Sequence, residues 1–258
     1  MNELSNQHQR QSRAQMMKIG GMCGLTALVS LFALGQGSST NLDMWTTASI
    51  VLGLDDGTEL QSNIIWKLRF PRVLMAIVGG VGLATAGALM QGCLGNPLVS
   101  PLTLGVASGA ALGAALAIVF GFSIATTGAF AIAGNAFVFS LIVVFIIIQL
   151  GRYRSISAES YILVGIAITF IAGAIVSTMQ YFATDAQLSQ LAHWSFGSLS
   201  RPDMTIVLGV GICMVALMPI ALGWSWDLNA LSMGGDDFAI STGVNPSLLR
   251  RNILVVSA

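Results

Sequence analysis

The sequence predicts an all-α, polytopic transmembrane helix bundle, and three observations carry that expectation. Hydrophobic residues make up 55% of the 258-residue chain and charged residues only 9%, where soluble globular domains carry roughly a quarter charged. Between Arg72 and Arg152 there is no Asp, Glu, Lys or Arg, and no water-facing surface can be built from such a stretch. The Lys and Arg residues of the remaining loops sort mostly to one side of the chain's alternating apolar runs, as membrane insertion requires.

In chain order, residues 1–17 form a polar, basic tail and 18–258 the membrane domain. The first apolar run, at about 18–36, is longer than a signal-peptide core and lacks an A-x-A site, so it reads as a retained anchor helix. Five more spans follow at about 73–91, 102–121, 128–150, 161–182 and 205–224, each near the ~20 residues that cross a bilayer core. A seventh begins near Asn252. The last few apolar residues are too few to cross, so the chain is expected to be C-terminally incomplete.

With six full spans, Arg10, Arg13, Lys18, Arg152, Arg154, Arg250 and Arg251 share one face, which is therefore the cytoplasmic one. The N-terminus is thus expected to be cytoplasmic. Asp43, Asp55, Asp56, Glu59, Asp185 and Asp203 fall on the other face. Lys67, Arg69, Arg72 and Arg201 break the rule by lying outside. Two readings of the cluster before the second span are open: snorkelling toward headgroups, or a docking surface for an acidic partner.

Gly105, Gly109 and Gly113 fall four apart on one face of the third span, a spacing that lets helices approach closely in lipid or line a weakly polar pathway. Between the second and third spans, Asn96 and Ser100 each precede a proline and read as two successive N-caps. Irregular backbone at that depth fits either a turn or a constriction at the mouth of a pathway. From about 227 to 250 the pattern changes. Gly235 and Asp236 open a short helix that stops at Gly243, and Asn245-Pro246 caps another. These two segments read as helices lying on the membrane or offered to a soluble partner.

No spacing suggests an enzyme, a metal site or a cofactor. Cys23, Cys93 and Cys213 have no Cys-x-x-Cys spacing and read as buried apolar thiols. His193 lies in an outer loop beside Trp194 without acidic or thiol neighbours. There is no phosphate-binding loop, so any ATP must bind another chain. The spans hold no charged residue beyond Lys18 at an edge, which counts against an ion-coupled carrier. Neutral net charge gives no basis for nucleic-acid binding.

These segments resemble the permease subunits of the iron-chelate and vitamin B12 class of bacterial ATP-binding-cassette importers, the FecCD-type permeases. The resemblance runs from about Ile65 to the end. It rests on Leu68-Arg69-Phe70-Pro71-Arg72, on residues 87–91 and Asn96-Pro97-Leu98, on Leu104-Gly105-Val106 with Ser108-Gly109-Ala110, on Trp194 with Gly197-Ser198-Leu199, on Leu228-Asn229-Ala230-Leu231, and on Gly235-Asp236 through Ala239 to Gly243-Val244. It implies about ten helices in a complete subunit, a second permease subunit (identical or paralogous), two ATPase subunits, and a periplasmic or lipid-anchored binding protein, all at the bacterial inner membrane. It implies that Arg69 and Arg72 dock the binding protein and that Asn96, Pro97 and Leu98 lie at a cytoplasmic gate, with the 152–160 loop. It further implies that Asn229, Leu231, Gly235, Asp236, Ala239 and Gly243 belong to the ATPase-coupling element. Ferric siderophore is the expected cargo, with haem, cobalamin and molybdate as alternatives. Asp237 stands where the family usually has glutamate, and Thr242 where leucine is common.

Overall fold

A computed structural model describes residues 2–37, 42–124, 129–153, 158–199 and 202–258. Among these there is helix and turn but no strand. The chain divides into two units, one of residues 1–77 with 199–209 and the other of 78–198 with 210–258.

In the first unit, α1 (Asn2–Gly35) runs unbroken through both the polar tail and the first apolar run. The expected boundary at residue 18 is therefore a change of surface within one helix, because polar straight-chain residues continue a helix as readily as apolar ones. Asp43 caps α2 (Met44–Val51) by accepting from Thr46 N at 2.8 Å. Thr58 and Gln61 form a reciprocal capping box that starts α3 (Glu59–Asn63). α3 passes into a π-helical turn, Ile64–Arg69, and then into α4 (Phe70–Leu94). The helical run thus starts well before residue 73. Pro71 has no N–H to offer the carbonyl of Lys67, and the widened turn before it accommodates that loss. Leu42, Ile50 and Ile65 form this unit's small core.

The second unit is built around α5 (Val106–Phe120), which packs most extensively against α6 (Ala129–Tyr153) and then against α7 (Ala158–Phe182). Among the described residues, five helical runs are long and apolar enough to cross a membrane: Gln9–Gly35, Glu59–Leu94, Ala131–Leu150, Ala158–Phe182 and Met204–Gly223. The third expected span, 102–121, is realised only as α5. Its 15 residues rise about 22 Å, short of a ~30 Å hydrocarbon core. Ser100 and Thr103 form a single turn instead of a helix start, and Gly105 adopts φ +79°, which delays the helix to Val106. α5 can be short because protein covers it: Ala114 and Ala115 are fully buried.

Gly109 and Gly113 set the α5–α6 approach. A Cβ at Gly109 would run into the Val143 side chain and the Phe139 carbonyl, and one at Gly113 into the Asn135 backbone. Asn135 is fully buried in α6 and fastens the chain after α5. Its side-chain oxygen accepts from Ile124 N at 2.9 Å, and its Nδ2 donates to the Phe122 carbonyl at 2.5 Å.

The expected outer loop around His193 is a helix, α8 (Asp185–Phe196), opened by a Thr184–Gln187 capping box. Gln187 Nε2 also donates to the Val119 carbonyl at 2.9 Å, closing the end of α5. Leu191 packs with Ala115, Ile118 and Met179. α9 (Met204–Gly223) follows the sixth span closely. Of the three cysteines only Cys93 is buried; Cys23 and Cys213 lie on the surfaces of α1 and α9.

Candidate functional site

The second unit brings three sequence-selected stretches into one core: the end of α4 with the 95–105 connection, α10 (Ser225–Ser241) and α11 (Pro246–Val256). Met90, Cys93 and Leu94 of α4 pack in one cluster with Val99 and Leu104, with Leu231 and Ala239 of α10, and with Leu249, Ile253 and Leu254 of α11.

α10 is two helical pieces joined at Gly234 and Gly235. Gly235 has φ +70° and ψ −160°, a conformation that is essentially glycine's alone. The second piece begins at Asp236 and ends at Gly243, φ +88°. There Val244 N bonds the Ala239 carbonyl at 2.9 Å and Gly243 N bonds the Ile240 carbonyl at 3.0 Å, the pairing of a Schellman stop. Asn245 then caps α11 by accepting from Leu248 N at 3.0 Å, with Pro246 at its first position.

Leu231 and Ala239 root α10 in the core, while Trp226 and Met233 are 81% and 79% exposed. The two pieces enclose an open cleft of about 510 Å³, lined in part by Trp226, Asn229, Met233, Phe238 and Gly243. An exposed, largely apolar cleft held on a firmly capped scaffold is suited to receive a knob from another protein.

In the connection after α4, Asn96 Oδ1 accepts from Leu98 N at 2.9 Å, an Asx turn and not a helix cap. Gln91 Nε2 donates to the Pro97 carbonyl at 2.9 Å and folds the loop back on α4. Leu98 is left 81% exposed at its tip. Residues 154–157 of the expected gate loop lie outside the described residues, as does Arg201.

Arg250 links these parts. Its side chain is 8% exposed and pairs bidentately with Asp236, Nη1 to Oδ2 at 2.7 Å and Nη2 to Oδ1 at 2.6 Å. Its Nε donates to the Cys93 carbonyl at 2.9 Å. The hydrogen bond from Arg250 holds the Asp236 carboxyl below the usual carboxylate range, against the opposing effect of partial burial. Sequence reasoning used Arg250 only to assign a face. A signal was present, however: Pro246, Leu249, Arg250 and Ile253 share one buried stripe of α11, and a charged residue on an apolar stripe calls for a partner.

In the first unit the two arginines expected to dock a partner differ. Arg72 is exposed. Arg69 is buried, and its Nη1 donates to the Leu34 carbonyl in the last turn of α1 at 2.6 Å. Gly105 lies against α7, where a Cβ would meet the Gly165 carbonyl.

The FecCD transport family matches residues 25–258. The hemin transport system permease protein HmuU of Yersinia pestis is 34% identical over 235 residues, 91% of this chain and 69% of that protein. The vitamin B12 import system permease protein BtuC of Pectobacterium atrosepticum is 32% identical over 90% of this chain, which spans only 65% of that relative's length. A solved structure of a metal-chelate type ABC transporter, in an inward-facing conformation, superposes with a TM-score of 0.76 at 28% identity, covering 93% of this chain and 72% of that one.

Proposed function

The chain belongs to the FecCD transport family, and on that premise we propose that it is the permease subunit of an ATP-binding-cassette importer of the bacterial inner membrane. It does no chemistry itself. Two ATPase subunits dock on residues 226–244 from the cytoplasm, and a second permease subunit completes the pathway. A binding protein delivers a metal chelate from outside, with ferric siderophore the favoured cargo ahead of haem, cobalamin or molybdate. The observation that carries this reading is α10, a kinked element exposed at Trp226 and Met233 yet rooted by Leu231 and Ala239 in the core that also holds the end of α4 and Val99. A partner gripping the exposed side therefore pulls on the gate connection at 95–101.

On the outer face, Arg72 with Lys67 offers the exposed positive charge for docking the binding protein, and Arg69 holds the backbone that presents them. Gly109 and Gly113 keep α5 and α6 in close contact, so the pair moves as one body.

The test is ATP-driven uptake into vesicles holding the permease, its ATPase and its binding protein, with radiolabelled ferric siderophore, haem, cobalamin and molybdate supplied separately. Uptake of one cargo that stops when the ATPase is omitted supports the proposal. Hydrolysis with no uptake of any cargo, or uptake that survives without the ATPase, overturns it. The second outcome would favour an ion-coupled carrier.

A further inference from the structure

Arg250 joins three elements whose buried apolar side chains meet in one cluster. The carbonyl of Cys93 is open to it for a reason legible in the sequence. The helical partner of that carbonyl would be the N–H of residue 97, and residue 97 is proline, which has none. Arg250 Nε takes that place at 2.9 Å. The two terminal nitrogens remain free to grip both oxygens of Asp236, the first residue after the Gly234–Gly235 kink. Only a guanidinium has the donors and the planar fork for this. A lysine ammonium can meet the carboxylate or the carbonyl, but not both in this geometry. Arg250 is itself held in place, one turn into a helix whose start is fixed by Asn245 and Pro246 and whose stripe is buried at Leu249 and Ile253.

From this arrangement we infer that Arg250 is a positioning residue that transmits displacement of the second piece of α10 to the end of α4 and so to the 95–101 connection. Apolar contacts slide past one another with little directional resistance. A bidentate, sheltered ion pair fixes both distance and angle. Asp236 cannot shift without drawing Arg250 with it, and Arg250 cannot shift without moving the Cys93 backbone four residues before Pro97. The inference deepens the proposed function and rests on it, since the displacement comes from the docked ATPase.

The experiment uses the full chain reconstituted with its ATPase, with Cys23 and Cys213 changed to Ser. Spin labels are placed at Met233→Cys, on the coupling element, or at Leu98→Cys, at the tip of the connection. Both sites are strongly exposed. On addition of ATP and vanadate, both labels should change mobility in the otherwise wild-type complex. In Arg250→Gln the change at Met233 should persist and the change at Leu98 should be lost. Arg250→Lys, which keeps the charge but reaches only one of the two partners, should lose the Leu98 response as Arg250→Gln does, and an undiminished response there overturns the inference too. An undiminished Leu98 response in Arg250→Gln overturns the inference. So does loss of the Met233 response in that variant, which would make Arg250 a prop for α10 and nothing more. A wild-type complex in which Met233 responds and Leu98 does not overturns it as well. A wild-type complex in which neither label responds instead overturns the proposed ATPase docking on which the inference stands.

Discussion

Two arginines three positions apart differ in their surroundings: Arg69 is buried and Arg72 exposed, so the proposed docking role falls to Arg72. Arg69 neutralises a carbonyl in the last turn of α1, where the helix dipole favours a cation. Replacing it by Glu sets a carboxylate against that carbonyl and forfeits a charged hydrogen bond worth about 2 kcal/mol. Arg69→Glu should therefore lower the melting temperature of the purified protein by several degrees. Arg72→Glu, at an exposed site, should leave the melting temperature within a degree or two. It should weaken binding-protein docking most at low salt. Equal effects of both changes on docking, with unchanged melting, would restore Arg69 to the docking surface. The Asp236 carboxyl adds a pH dependence. Its folded-state pKa is depressed by Arg250, so the pair's contribution is complete above the unfolded carboxylate value of about 3.9 and fades as pH falls through the lower folded value. Wild type should melt above Asp236→Asn at pH 7, and the gap should close as the pH falls below the ordinary carboxylate range. The gap is small throughout, because the Asp236 side chain is 49% exposed.

The elements differ in how plainly their ends are written in the sequence. The stop at Gly243 and the start at Asn245-Pro246 were legible because each depends on one residue type that the backbone there requires. The close approach at Gly109 and Gly113 was legible as spacing, though not which helix would arrive. α8 is hidden from a reading by hydrophobic periodicity, which is weak there; its marker is the capping pair Thr184 with Gln187 three residues on. α5 was read as a full span because apolar length alone does not reveal Gly105 in a left-handed conformation. The Asn135 clamp and the Arg250 fork join residues more than ten positions apart, which no local pattern encodes. Backbone demand at Gly235 leads to a further expectation. An alanine there meets a conformation costing of order 1–3 kcal/mol, so Gly235→Ala should straighten or loosen the α10 kink. ATP-driven uptake should fall at least several-fold while the outer face still binds its partner. Uptake at the wild-type rate would show that the kink is dispensable.

At the scale of the whole molecule, the proposal depends on which side of the bilayer holds α10. The short α5 makes this a real question. If the chain crosses at α5, six crossings separate the tail from residue 226, and Arg250 and Arg251 share a side with Arg10 and Arg13, as the distribution of basic residues demands. If α5 enters and leaves by one side, five crossings remain and α10 faces the binding protein instead of the ATPase. α5 lies against α6, α7 and α8, so its limited length need not match the bilayer thickness: the mismatch is taken up by protein and not by lipid. Crossing is therefore the expected topology. A membrane-impermeant maleimide applied to intact spheroplasts should label a cysteine at the exposed Asp55 and not one at Met233, in a background with Cys23 and Cys213 replaced by Ser. Inverted vesicles should show the opposite pattern. Labelling of Met233→Cys from outside would place the coupling element beyond reach of any cytoplasmic ATPase, because no motion of α10 alone can carry Asp227, Asp236 and Asp237 through the hydrocarbon.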